Sequence, residues 1–182
     1  MLPFARLGAD KPMGGVPTRD LFLRSLSLDS HGDYLEIPNV AQLHFGGAMT
    51  IEGWLRPEGL VAARQGIFFK GAAPHLEPFP NLEYSLWLRN GGHLQLASTP
   101  QGHSGKLALE TSIPAIRVGQ WQHFAAVIDG AQARMQIYVN GFLQAEGGYG
   151  ASGIKLSGGN LKIGTCFDQC DFAGQIDEVR SG

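Results

Sequence analysis

The chain has 182 residues, 43% of them hydrophobic and only 16% charged, with a formal net charge of -2. That length supports one sizeable core, and the charge provides no basic field to attract nucleic acid or an anionic membrane surface. No run of about 18 apolar residues occurs, so no helix-length segment is expected to insert into a membrane.

Residues 1–20 carry Pro3, Pro12, Pro17 and the Gly14-Gly15 pair without any periodicity, and read as an extended N-terminal arm laid over the surface or held by a neighbour. The same stretch lacks the unbroken apolar region of a secretory signal. It therefore suggests either a chain not exported by that route or a piece of a longer product. From Leu21 the pattern turns to strands, and 21–182 reads as one domain. Leu26-Ser27-Leu28 and Tyr34-Leu35-Glu36-Ile37 flank a turn at Asp29–Asp33, and Pro38 ends the second run. Alternation is clearest over Thr50–Arg56, closed by Pro57. Ile67-Phe68-Phe69 is a short apolar strand. Tyr84–Arg89 meets His93–Ala97 across Asn90-Gly91-Gly92. Trp121–Ile128 meets Arg134–Val139 across Asp129-Gly130, and Asn140-Gly141 leads into Phe142-Leu143-Gln144. Asn-Gly and Asp-Gly favour the positive φ that primed hairpin turns require. Leu161–Gly164 and Gln175–Val179 close the series. Many short strands with frequent turns, and no helical period between them, predict an all-β sandwich or barrel.

The two cysteines, Cys166 and Cys170, lie in a Gly-rich stretch with Phe167, Asp168 and Gln169 between them. A small-loop disulfide, two free thiols and, third, a metal site are all open, because local geometry decides between them.

Taken in order, Leu26–Asp29 with Asp33–Pro38, Thr50–Leu55, Gly119–Val127, Ile137–Gly141, Leu161–Gly164 and Phe172–Arg180 resemble the signatures of laminin-G-like, concanavalin-A-like jelly rolls. The resemblance implies a two-sheet antiparallel jelly-roll sandwich. The chain stops two residues after Arg180, where such domains continue the last strand, so a final edge that is short or completed by something else is expected. The resemblance also implies a structural calcium ion, Ca2+, with Asp29 and Asp177 positioned to supply oxygens. The plainer reading gives Asp29 a turn bond and Asp177 a pairing with Arg180 or a backbone N–H.

Glycan-cleaving enzymes of this fold carry two carboxylates at i and i+4 on one strand face with a third acid between them. The nearest stretch here is Gln175-Ile176-Asp177-Glu178-Val179, with Gln and Val at the two outer positions; Glu52 and Glu83 each stand alone, and no Gly-x-Ser-x-Gly elbow occurs. No catalysis is therefore expected. His123 reads as structural, and Trp54, part of the family signature, as packed under a loop or neighbouring strand. Alternation points Trp87, Arg89, His93, Gln95 and Tyr138 outward. A flat ring beside amides and guanidinium groups suits sugar recognition, so these five are the expected ligand-binding residues. The Pro- and aromatic-rich loop between Gly71 and Leu82 is a further recognition candidate. The sequence thus predicts a non-catalytic carbohydrate-binding or adhesion module on an extracellular, cell or virion surface. The alternative is a structural or assembly subunit of a surface layer, filament or virion, joined through the arm.

Overall fold

A strand whose alternate residues are apolar buries one face, and Ala48–Pro57 does so. Met49, Ile51, Gly53, Leu55 and Pro57 are buried, while Thr50, Glu52, Trp54 and Arg56 stay half-exposed. The structure, a computed structural model, describes residues 6–8, 25–73, 78–150, 153–167 and 170–182. Their strands are β1 (Arg6–Gly8), β2 (Ser25–Asp29), β3 (Leu35–Ile37), β4 (Ala48–Pro57), β5 (Arg64–Gly71), β6 (Leu82–Arg89), β7 (His93–Ser98), β8 (Leu107–Glu110), β9 (Gln122–Asp129), β10 (Arg134–Val139), β11 (Phe142–Gly148), β12 (Leu161–Ile163) and β13 (Ala173–Ser181).

They form two antiparallel sheets. One has seven strands in the order β1-β2-β13-β4-β9-β10-β11; the other has six, β3-β12-β5-β6-β7-β8. The inner faces meet in a core containing Leu28, Ile51, Leu55, Phe68, Tyr84, Leu86, Phe124 and Ile137. This is the expected two-sheet sandwich.

Four local features differ from the sequence reading. β13 is not a short edge: it runs nine residues in the interior of its sheet, between β2 and β4. Within the expected arm, Arg6–Gly8 adds a strand to β2, and the rest of residues 1–20 lies outside the described residues. β8 was not foreseen. The connection after Asp129 takes its positive φ at Ala133 (51°), not at Gly130. Gly130 serves close approach instead, because a Cβ there would lie 2.7 Å from the Gly47 carbonyl oxygen. Asn140 and Gly141, by contrast, both take positive φ, as a primed turn demands.

One end of the sandwich is closed by a buried ionic network. A register shift between Lys70 and Gly71 re-aims Glu83, so that Glu83, Lys70 and Tyr84 are all fully buried together. The Lys70 ammonium donates to Glu83 Oε2 (3.1 Å), Asn39 Oδ1 (2.6 Å) and the Gly159 carbonyl (2.9 Å). Glu83 Oε2 also accepts from the Ser157 backbone N–H and hydroxyl, and His44 Nδ1 lies 2.8 Å from Oε1. The network ties the β3–β4 and β11–β12 connections to the six-stranded sheet. Desolvation by burial, and then the Glu83 charge, raises the Tyr84 phenol above its ordinary pKa. Tyr149 is pushed up to about 12 by burial, against the lowering effect of its Ser98 hydrogen bond.

Candidate functional site

The outer faces of the two sheets differ in kind. On the six-stranded sheet, β5 and β6 are buried on both sides, because a second apolar layer covers them. Phe69, Phe79, Leu82, Trp87, Ala97, Cys166 and Cys170 form that layer, with Phe167 packed against it. Trp87 points away from the main core, as alternation requires, yet its exposure is 0%. Phe79 lies 6.0 Å from it between ring centroids, and the Arg64 guanidinium sits 4.3 Å over its ring. The open aromatic platform expected at Trp87 is therefore absent. The reason is the cover, which comes from Phe79 in the loop before β6 and from the loop between β12 and β13.

Part of that cover is the loop between β12 and β13. Its base closes through a bond from the Phe172 N–H to the Gly164 carbonyl (2.8 Å), and Cys166 and Cys170 are joined by a disulfide. The Gly66 N–H donates to the Cys170 carbonyl (2.7 Å), and a Cβ at Gly66 would lie 2.4 Å from the Thr165 backbone, so the loop lies directly on β5. Replacing Cys166 and Cys170 together by serine is expected to cost about 2 kcal/mol, the chain-entropy value for so short a loop. Urea unfolding of the double variant against the parent checks this.

Of the other expected ligand residues, Arg89, His93 and Gln95 surround this layer and are half-exposed, but they are engaged locally. Gln95 Nε2 donates to Glu110 Oε2 (2.6 Å), Arg89 Nε lies 3.7 Å from the same oxygen, and His93 Nδ1 is 2.7 Å from the Thr111 carbonyl oxygen. Tyr138 belongs to the other sheet and faces the opposite way. The five residues therefore do not form one site.

The outer face of the seven-stranded sheet is open. Register places side chains on it in rows that cross the strands. Trp54 stands opposite both Asp177 and His123. Glu52 stands opposite Ala125, which stands opposite Tyr138, followed by Leu143. Thr50 stands opposite Val127, which stands opposite Gln136, followed by Glu146. The Trp54 and His123 rings meet edge-on at 5.4 Å, and His123 Nε2 lies 3.6 Å from Glu52 Oε2, whose side chain is 40% exposed. A half-exposed indole beside a carboxylate and an imidazole, with the Tyr138 phenol two strands away, can stack on the C–H face of a hydroxylated ring and hydrogen-bond its rim. The sequence pattern places Trp54 under a loop or neighbouring strand; the structure leaves it on the surface, half-exposed. The polar residues Glu52 and Arg56 at alternate positions of the same strand were the signal that this face is solvated. His123, read as structural, is its neighbour there.

The carboxylates do not assemble into a metal or hydrolytic centre along β13. Asp29 is the cross-strand partner of Ala173, so Asp177 lies four residues further along, about 13 Å away. One calcium ion, with ligands at roughly 2.3–2.6 Å, does not span the two. Asp29 Oδ1 instead accepts the His31 N–H (2.8 Å) in a turn, and Asp177 Oδ1 accepts the Glu178 N–H (2.7 Å). Among the described residues no group of three or more His, Cys, Asp or Glu side chains converges to hold a metal. At the first position of the hydrolytic pattern, Gln175 accepts a hydrogen bond from Arg56 (3.3 Å).

The sequence profile of the concanavalin A-like lectin/glucanases superfamily matches residues 29–181. No curated protein sequence matches the chain. Among solved structures, a sialidase carbohydrate-binding module (CBM40) from Ruminococcus gnavus bound to α2,3-sialyllactose shares 16% identity at a TM-score of 0.60, covering 82% of this chain and 88% of that one. Domain 4 of an extracellular arabinanase from Geobacillus stearothermophilus, in complex with arabinotriose, shares 19% identity at 0.57, covering 97% and 81%. A heptameric SAP-like pentraxin from Limulus polyphemus shares 19% at 0.54, covering 81% and 74%. At these identities the likeness is one of fold.

Proposed function

The chain belongs to the concanavalin A-like lectin/glucanases superfamily, and from that premise we propose that it is a non-catalytic carbohydrate-binding module whose ligand lies on the outer face of the seven-stranded sheet. The observation that carries this is Trp54, a half-exposed indole on an open sheet face, flanked by His123 and Glu52. The solved structures of similar fold that bind sialyllactose or arabinotriose support the ligand class. The lack of paired carboxylates at i and i+4 around Asp177 supports binding without cleavage. The Cys166–Cys170 disulfide supports an extracellular setting, where such bonds persist.

A glycan array, followed by calorimetry on the hits, tests the proposal. The parent chain binds a subset of glycans and releases no shorter product on long incubation. Trp54→Ala loses about 2 kcal/mol of affinity, roughly 30-fold. A blank array, or equal binding by parent and variant, would overturn it. Assembly through the arm is the second reading. It draws on Arg6–Gly8, which adds a strand to the edge of β2 as a strand from a neighbouring copy would. Light scattering of the chain with and without residues 1–20 separates the two.

A further inference from the structure

Trp54 and His123 form one border of a shallow lane across the open face, and Thr50, Val127 and Gln136 form the other. Between the borders run Glu52, Ala125 and Tyr138. Ala125 offers only a methyl group where its outward neighbours on β9 offer an imidazole and a branched chain, so the lane is lowest there. It runs out past Leu143 over β11, the edge of the sheet, where Leu143 is 50% exposed.

Neighbouring strands lie about 4.8 Å apart, and a 1,4-linked hexose chain advances by a similar step per ring. A chain laid along the lane therefore sets about one ring over each strand. Trp54 and Tyr138 stand two strands and two residues apart, about 12 Å, so contact with both takes at least about three rings. The charged groups at the lane restrict its ligand further. Glu52 is paired only loosely, with His123, and Glu146 accepts from Gln136 Nε2 (2.5 Å). Arg180, the cross-strand partner of Glu52, is 3.9 Å from Glu178. Carboxylates accept hydrogen bonds from hydroxyls and repel a carboxylate or sulfate on the ligand.

We infer that the lane holds an internal stretch of a linear, uncharged glycan chain running across the strands, not a chain end or an acidic sugar. This rests on the carbohydrate reading above and specifies its ligand class.

The test is calorimetry with 1,4-linked gluco-, manno- and xylo-oligosaccharides of increasing length, alongside galacturonate oligosaccharides of matching lengths. For at least one neutral series, affinity rises about tenfold or more from one ring to four and then levels, and the acidic series binds at least about tenfold more weakly. Ala125→Trp removes the gain with length while leaving the unfolding midpoint in place, and Ala125→Gln shows a smaller loss in the same direction. Length-independent affinity, equal binding of the acidic series, or an Ala125→Trp variant that binds like the parent would overturn the inference; if Trp54→Ala still lowered affinity roughly 30-fold, the carbohydrate reading would survive. A blank panel together with a blank glycan array would overturn both.

Discussion

Glu83→Ala is expected to cost roughly 3–5 kcal/mol of folding stability and to lower the unfolding midpoint on the order of 10 °C. The expectation rests on what would be stranded. Lys70 is fully buried and spends its three donors on Glu83, Asn39 and the Gly159 carbonyl; without the carboxylate, its charge stays in the interior with only neutral acceptors. The Ser157 N–H and hydroxyl would also lose their acceptor, and each unmet buried donor costs about 1–3 kcal/mol. Lys70→Ala should cost a similar amount by leaving the carboxylate uncompensated. The double replacement Lys70→Met/Glu83→Leu should cost less than the two single losses added together, because it removes both charges at once and keeps the volume. Urea unfolding of the parent and the three variants is the measurement. Single variants costing under about 1 kcal/mol, the range of exposed pairs, would show the network to be solvated and the end of the sandwich open.

That network was illegible in the sequence for a definite reason. Glu83 reads as a lone carboxylate in an apolar strand, and its partners His44 and Ser157 are 39 and 74 residues away. Local periodicity carries no information about such pairings, and the bulge that turns Glu83 inward exists only in the register between β5 and β6. What period-two alternation does encode was read correctly. Ile51 and Leu55 face the core, Asn140-Gly141 makes its hairpin, and Tyr138 faces away from the core. β8 was missed because no Asn-Gly or Asp-Gly hairpin signal joins Leu107–Glu110 to β7. β13 was mistaken for an edge because position in the chain does not reveal position in the sheet.

The two tryptophans carry the same lesson into function and lead to the second large prediction. Alternation places both Trp54 and Trp87 on outer faces, but an outer face is exposed only where nothing covers it. β4 is flanked outward by Glu52 and Arg56 and stays open, whereas β6 is buried from Leu82 to Leu88 under Phe79 and the disulfide loop. Trp87→Ala should therefore act on folding, costing about 3–5 kcal/mol as a large core truncation, with glycan affinity unchanged in the molecules that remain folded. Trp54→Ala should do the reverse. Its stability loss stays near 1 kcal/mol, the scale of one edge-on ring pair, while affinity falls roughly 30-fold. Paired denaturation and calorimetry on the two variants separate the roles. If Trp87→Ala instead folded normally and lost its glycan, the covering layer would have to open in solution, and the binding face would belong to the six-stranded sheet with Arg89 and Gln95 at its rim.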